Sequence, residues 1–302
     1  MKKVVVTGGA GFIGSNLVDT LIDDDIDVIV IDNLSTGKIE NVNKKAHFLK
    51  HDLSSISLDC LISILHDVDI VFHLAALARV QPSIEDPFPY HNANVNATLN
   101  LLYAAQKSKV KKLIYSASSS CYGDTLKIPQ QEKDPTNPLS PYGLQKYIGE
   151  QYCRMFSQVY NLDTVSLRYF NVYGERMSLE GAYCLVTGIF ARQMQENKPL
   201  TITNDGKQRR DFTYVGDVVQ ANILAARYSK KLNGEVFNIG NGKNVSINEV
   251  ADMFGGKKVY GEKRLEPFET LADNQKAKNI LKWEPKGNLS RWIKQYKIEL
   301  GI

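Results

Sequence analysis

Thr7-Gly8-Gly9-Ala10-Gly11-Phe12-Ile13-Gly14 follows directly on three valines, Val4-Val5-Val6, and opens a stretch with helical apolar spacing. Gly8, Gly11 and Gly14 therefore fall at the first strand-to-helix junction. There, residues without side chains permit a tight turn, let backbone N–H groups approach a pyrophosphate and allow the helix to pack close to the strand. The helix N-terminus adds a partial positive charge. A glycine triplet alone is weak evidence; its place at this junction is what predicts a dinucleotide site.

The rest of the first half repeats the alternation. Val28–Ile31, His47–Leu49, Ile70–Phe72 and Leu113–Tyr115 read as short buried strands, separated by helical patterns at 12–24, 57–66, 91–108 and 142–159. Strand, helix, strand in repetition predicts an α/β fold with a Rossmann-type doubly wound parallel sheet. Thr164–Leu167 and Val236–Ile239 add two strands. We expect 1–170 plus 213–240 to form the sheet domain, and 171–212 plus 241–302 a smaller α/β substrate-binding lobe. The loop from Thr125 to Pro141, with Pro129, Pro135, Pro138 and Pro141, is long enough to expect a function of it.

Composition narrows the partners. With 302 residues, 43% hydrophobic, the chain can fill a sizeable core. A net charge of +4 gives no reason to expect nucleic acid or an anionic membrane surface. The four cysteines and five histidines show no CxxC or HxxxH spacing, so no metal site is expected. No apolar run reaches the roughly 18 residues of a membrane span, and the run after Met1-Lys2-Lys3 is too short for a signal peptide. The expected setting is the reducing cytoplasm.

Asp32 ends the second strand 18 residues after Gly14. This is near the offset of about 20 at which an acidic group accepts hydrogen bonds from the adenosine ribose. A carboxylate there repels a 2′-phosphate, so NAD is expected over NADP; Lys38 is the one cation that follows closely. A solvated strand-end Asp is the other reading. Asp52-Leu53 ends the third strand, where a carboxylate can meet the adenine amine or simply form a turn.

Ser140-Pro141-Tyr142 precedes Gly143-Leu144-Gln145-Lys146. Ser140 suits a helix N-cap and Pro141 the first turn, which puts Tyr142 and Lys146 at i and i+4 on one face. A tyrosine is a poor base at neutral pH unless a cation stabilises its phenolate, and Lys146 is placed to do so. Upstream, the fifth strand runs into Ser118-Ser119-Ser120 at its carboxyl end, where such sheets bind ligands. Alone, either segment also reads as an ordinary amphipathic helix or a serine-rich loop.

Together with Asp32-Asn33, His73-Leu74-Ala75-Ala76, Arg168–Gly174 and Arg210-Asp211-Phe212, these segments resemble the extended short-chain dehydrogenase/reductase family in its nucleotide-sugar branch, over essentially the whole chain. The resemblance implies NAD held throughout the cycle and a UDP-sugar gripped by the smaller lobe. Gly8, Gly11, Phe12, Ile13 and Gly14 would meet the pyrophosphate. Asp32, Asn33, Asp52 and Leu53 would meet the adenosine half. Leu74, Ala75 and Ala76 would line the cofactor, with Phe170 and Lys146 at the nicotinamide end. Ser118, Tyr142 and Lys146 would be catalytic. Ser119, Ser120, Asn171, Arg210, Arg264 and Thr270 would join Ser118 and Tyr142 in holding the substrate.

The reaction follows from what the serines lack. Related 4,6-dehydratases carry an acidic pair where this chain has Ser119-Ser120, and related decarboxylases place Glu at the position of Ser120; serine supplies neither acid nor base there. The remaining reading is a C4 epimerase. The serine run, Leu139–Tyr142 and Gly181-Ala182-Tyr183 look most like UDP-N-acetylglucosamine 4-epimerases. By motif, Thr270 stands where an aromatic residue would close the sugar pocket and a small one leaves room for a 2-acetamido group. Two departures are Thr187-Gly188, where Ile-Pro is usual, and Cys121, where Val is common. UDP-glucose and UDP-glucuronate 4-epimerases are the nearest alternatives, and an inactive NAD-binding regulator a more distant one, since such proteins commonly lose the Tyr or the Lys. The resemblance also implies a homodimer through helices 91–108 and 142–159, with Leu101, Leu102, Tyr152 and Phe156 either at the interface or in the core.

Overall fold

The computed structural model describes residues 1–178, 185–262 and 266–302. In chain order its first half contains β1 (Lys3–Thr7), α1 (Phe12–Asp23), β2 (Asp27–Asp32), β3 (His47–Lys50), α2 (Leu58–Ile64), β4 (Ile70–His73), α3 (Val80–Glu85), α4 (Pro87–His91), α5 (Ala97–Lys107), β5 (Lys112–Ser118), α6 (Pro141–Tyr160) and β6 (Asp163–Tyr169). The second half adds β7 (Val172–Tyr173), α7 (Val186–Gln195), β8 (Leu200–Ile202), β9 (Arg209–Asp211), β10 (Thr213–Tyr214), α8 (Val215–Arg227), β11 (Glu235–Ile239), β12 (Asn244–Ser246), α9 (Ile247–Phe254), β13 (Lys258–Tyr260), α10 (Gln275–Leu281) and α11 (Leu289–Leu300).

Seven parallel strands form one sheet in the order β11-β6-β5-β4-β1-β2-β3. Each strand is short and apolar because both of its faces are covered. Val4 and Val6 pack with Leu17, Val18 and Val218 on one face, while Val5, between them, packs with Leu61, Leu101 and Phe156 on the other. The strand order reverses between β1 and β4. The carboxyl ends part there, opening the crevice in which sheets of this kind bind ligands.

A separate apolar core, built from Tyr173, Phe190, Leu200, Phe212, Val250, Phe254 and Ile293, holds α7, α9 and α11 together with short strand pairs. The stretch 275–283, expected in this smaller lobe, instead packs on the sheet. Ala277, Leu281 and Trp283 share a cluster with Val218 and Phe237, and the Trp283 indole N–H donates to the Asp217 carbonyl at 2.8 Å.

One helix boundary shifts, and two open points close. The helix expected from 91 begins at Pro87, capped by Asp86, and passes through a π-helical turn at Asn92–Asn96 before α5. Leu101, Leu102 and Phe156 lie in the core and Tyr152 packs partly against it, so none of the four is an outward apolar residue. The proline-rich loop is tied down at several points. The Gln130 N–H donates to the Leu271 carbonyl at 2.8 Å, the Gln130 carbonyl accepts from Asp273 N at 2.9 Å, and Asn238 bonds both Gln130 and Tyr122. The loop thus joins the end of β5 to the C-terminal segment that carries Thr270. Among the described residues, no helix is long and apolar enough to cross a membrane.

Candidate active site

The crevice at the β1–β4 reversal is a cleft of about 1390 Å³. Gly8, Gly11, Phe12, Ile13, Gly14, Asp32, Asn33, Asp52, Leu53, Leu74, Ala75, Ala76, Tyr142 and Lys146 all line it. The glycine loop is as compact as the sequence requires. Gly8 has φ +71°, and a Cβ on it would lie 2.6 Å from the Ala75 nitrogen; a Cβ on Gly14 would lie 2.1 Å from the Gly8 carbonyl oxygen. No side chain caps the first turn of α1. Its N–H groups and the helix dipole therefore suit a diphosphate, and the loop fits the cofactor that the glycine pattern implies.

The Asp32 carboxylate is a girder of this loop as well as a cleft wall. One oxygen accepts from Ala10 N at 3.0 Å and the other from Leu34 N at 2.8 Å, holding Leu34 at φ +60°. Each oxygen keeps a lone pair for a ribose hydroxyl. Asn33 donates to Asp52 at 3.0 Å, and Ser54 donates to Asp52 through both its backbone and its hydroxyl. Burial would raise the Asp52 pKa, but these hydrogen bonds outweigh it and hold the carboxyl below its ordinary value.

A buried hydrogen-bond chain fixes the 74–78 loop. Ala75 N donates to Thr7 Oγ1 at 3.2 Å, Thr7 lies 2.8 Å from His73 Nδ1, and His73 Nε2 lies 2.9 Å from Thr98 Oγ1, which donates to the Asn94 carbonyl at 2.7 Å. These directions require a neutral imidazole protonated at Nε2, an assignment inferred from the network. Burial, with the nearby Lys146 charge, holds His73 down at about 3, so it stays neutral. Asn94 clasps Leu77 from both sides, at 2.9 Å each, and reaches Gln145 on α6 at 3.2 Å.

At the other end of the cleft, the Ser140 hydroxyl accepts from Gly143 N at 3.1 Å and caps α6, with Pro141 in the first turn. Tyr142 and Lys146 consequently share a face. Burial raises the Tyr142 phenol above its ordinary value, opposed by a hydrogen bond with Ser118 and by the charge of Arg79. Lys146 Nζ lies 3.4 Å from the Ser116 hydroxyl and 4.5 Å from the centre of the Tyr115 ring. Burial brings the Lys146 amine down to about 7. Ser118 caps the turn Ser119–Tyr122 and accepts from both Ser120 N and Ser120 Oγ. Cys121 is buried with its thiol pushed up to about 12, which fits a packing residue rather than a nucleophile.

Of the residues expected at the substrate, Tyr142 lines this cleft, while Asn171, Arg210 and Thr270 form a second group that does not. Asn171, at φ +26°, donates to the Asp211 carbonyl at 3.1 Å and to Thr270 Oγ1 at 3.3 Å. Thr270 is buried and also accepts from Asp211 N at 3.4 Å. Arg210 is held by the Phe268 and Arg209 carbonyls and pairs with Glu266. The Phe170 ring is fully buried with Cys121, Tyr122 and Ala272, so its side chain does not line the cleft as expected. Arg264, Gly181, Ala182 and Tyr183 lie outside the described residues. The sequence reading missed Arg79 and the strip Arg176–Ser178, all on the cleft wall. The signal for Arg79 was a lone cation at the end of the small apolar run Leu74–Ala78.

A nucleotide cradle at the switch point of a seven-stranded parallel sheet, facing a Tyr-Lys pair on a capped helix, defines an extended short-chain dehydrogenase. The profile of the NAD dependent epimerase/dehydratase family matches residues 4–240. A Methanocaldococcus jannaschii protein, provisionally named a UDP-glucose 4-epimerase, is 40% identical over 300 residues, covering 97% of this chain and 96% of its own length. Among solved structures, a Methanobrevibacter ruminantium UDP-N-acetylglucosamine 4-epimerase in complex with UDP-N-acetylmuramic acid superposes with a TM-score of 0.91 at 37% identity, covering 99% of each chain. A Bacillus cereus UDP-glucuronic acid 4-epimerase in complex with UDP-glucuronic acid and NAD gives 0.91 at 34% identity, again covering 99% of each chain. The chain belongs to the NAD dependent epimerase/dehydratase family, in its UDP-sugar 4-epimerase branch.

Proposed function

We propose that the protein interconverts UDP-N-acetylglucosamine and UDP-N-acetylgalactosamine at C4, with UDP-glucose and UDP-galactose as a further pair. NAD bound along the cleft supplies a reversible hydride acceptor. Tyr142, as phenolate, takes the proton of the C4 hydroxyl as the C4 hydrogen leaves with its electron pair and the C4–O bond becomes a carbonyl. Ser118 bridges the phenol and the sugar oxygen, and Lys146, when protonated, favours the phenolate and reaches the nicotinamide ribose. After the 4-keto sugar turns over, hydride returns to its other face and Tyr142 gives the proton back, so nothing is consumed. Arg210 and Asn171 hold the UDP part, with Ser119 and Ser120 at the sugar.

The observation that carries the choice of sugar is Thr270, small, buried and hydrogen-bonded to Asn171, at the position expected to bound the 2-substituent. Thr270→Tyr should cut turnover of the acetamido sugar at least about tenfold relative to UDP-glucose, the scale on which pockets discriminate bulk. Thr270→Ser should keep the wild-type ratio. An unchanged ratio in Thr270→Tyr sinks this choice. A second reading, a carboxylated sugar, is favoured by Arg79 on the cleft wall.

The assembly we propose is a homodimer. Leu99 and Tyr103 on α5, and Leu144, Ile148, Met155 and Val159 on α6, form partly exposed apolar rows at helical spacing. The free thiols of Cys60, Cys121 and Cys153 fit the reducing cytoplasm.

A further inference from the structure

Tyr115 is fully buried in β5, paired with His73 of β4 on one side and Ser166 of β6 on the other. The next two residues, Ser116 and Ala117, line the cleft; Tyr115 lies behind them, and the proton and hydride steps at C4 do not touch it. It nevertheless meets Lys146 twice. The centre of its ring is 4.5 Å from the Lys146 Nζ, and its hydroxyl donates to the Lys146 carbonyl at 3.2 Å. Helix α6 makes room for the ring at Gly149, where a Cβ would lie 2.2 Å from the Tyr115 hydroxyl oxygen. Ring, hydroxyl and glycine together seat Tyr115 against the turn of α6 that carries the amine.

We propose that Tyr115 is a positioning residue for the C4 reaction, whose ring face holds the Lys146 ammonium in its buried place beside Tyr142. The inference rests on the reading of Tyr142 and Lys146 as the reacting pair, and adds the residue that serves it. A cation is drawn to the negative face of an aromatic ring, and the attraction grows where water is excluded. The titratable and charged groups that act on this corner do not take the place of the ring. On α6, Glu150 is forked by Arg168, and Cys153 offsets the burial of Lys146 only in part, its own thiol being buried and pushed up. On β4, His73 stays neutral, and Arg79 acts on Tyr142 as a second cation. The Ser116 hydroxyl, at 3.4 Å, is a neutral partner.

The test compares wild type with Tyr115→Leu, Tyr115→Phe, and Tyr115→Phe carrying ring fluorines, which keep the shape of the ring and withdraw charge from its face. For each protein, kcat for UDP-sugar epimerisation is followed against pH, with Tm and NAD content recorded alongside. The two apparent pKa values that bound the profile belong to the Tyr142–Lys146 pair jointly, so their sum reports on the ammonium. Losing the ring face disfavours the ammonium, and should lower that sum by about one pH unit, roughly tenfold in the protonation equilibrium, in Tyr115→Leu and in the fluorinated variant. Tyr115→Phe, which loses only the hydroxyl, should keep the wild-type sum. A packing role alone would lower the Tm or the height of the profile in Tyr115→Leu and leave the sum in place. That result, or a fluorinated ring that behaves as the plain one, overturns the proposal; so does a Tyr115→Phe sum as low as that of Tyr115→Leu, which would assign the effect to the hydroxyl. Should Tyr115→Leu fail to fold, the two phenylalanine variants decide between them, since they differ in charge and hardly in shape. No epimer from wild type at any pH would instead overturn the reading of the cleft on which the proposal rests.

Discussion

Lys146 is asked to be a cation in a place that disfavours one. The Ser116 hydroxyl and the face of the Tyr115 ring lie against it, and burial, only partly opposed by Cys153, lowers its pKa from 10.5 to about 7. Below pH 7 the amine is charged in both folded and unfolded chains, and the folded state bears the full desolvation cost. Between 7 and 10.5 the unfolded chain binds more protons, so this group's contribution to stability rises with pH and the cost is gone above 10.5. Lys146→Met should therefore raise the Tm of the NAD-free protein at pH 7, with a gain that shrinks as pH approaches 10, and should lower kcat by about 10²–10⁴-fold. A variant less stable than wild type at pH 7 contradicts this account of the site. Gly14→Ala, whose Cβ has no room beside the Gly8 carbonyl, should purify with little or no NAD, as read from the ratio of absorbance at 260 to 280 nm. The glycines and acids of the cleft wall were legible in the sequence because glycine spacing and strand ends are local signals. Phe170, Thr270 and Arg79 were not fully legible, because burial, hydrogen-bond partners and cleft exposure depend on segments distant in the chain.

At the scale of elements, α6, which carries Tyr142 and Lys146, is anchored by a buried ion pair. Arg168 on β6 forks onto Glu150 on α6 through Nε at 2.8 Å and Nη2 at 2.7 Å, and its guanidinium lies 4.7 Å from the Tyr122 ring centre. Two buried charges with matched geometry are tolerable together, and either alone is not. Glu150→Ala should lose about 3–5 kcal/mol of stability by urea unfolding, and Glu150→Leu with Arg168→Met should lose clearly less. Equal losses would mean that packing, not charge, dominates there. The strands of the first half and four of its helices could be read from the sequence, because the strands are short β-branched runs at regular spacing and those helices fill the intervals with helical apolar spacing; α3 was not. The π-helical turn at Asn92–Asn96 could not be read that way, since one altered turn leaves the apolar spacing almost unchanged. The role of the proline-rich loop was likewise invisible. Its length and proline content suggested a function, but its bonds to Leu271, Asp273 and Asn238 join partners more than 100 residues apart.

For the molecule as a whole, the sheet body is one body because the chain leaves it near residue 170 and returns twice, through α8 with β11 and again through α10 with Trp283. That second return carries the segment with Thr270 back across the proline-rich loop, next to the serine turn. The outward apolar rows on α5 and α6 make the assembly testable at the same scale. Tyr103→Lys with Ile148→Asp should convert a dimer to a monomer in sedimentation velocity, and a wild type that sediments as a monomer would contradict the proposed assembly. The central claim is that one cleft both retains NAD and uses it at C4 without net consumption. Its most direct test is to incubate the purified protein with UDP-glucose, UDP-N-acetylglucosamine and UDP-glucuronate, with no NAD added, and to follow the anomeric protons by NMR. The account predicts the C4 epimer growing to a constant ratio from at least one sugar, with that growth abolished in Tyr142→Phe. No epimer from any sugar, even with NAD supplied, or undiminished turnover by Tyr142→Phe, would contradict it.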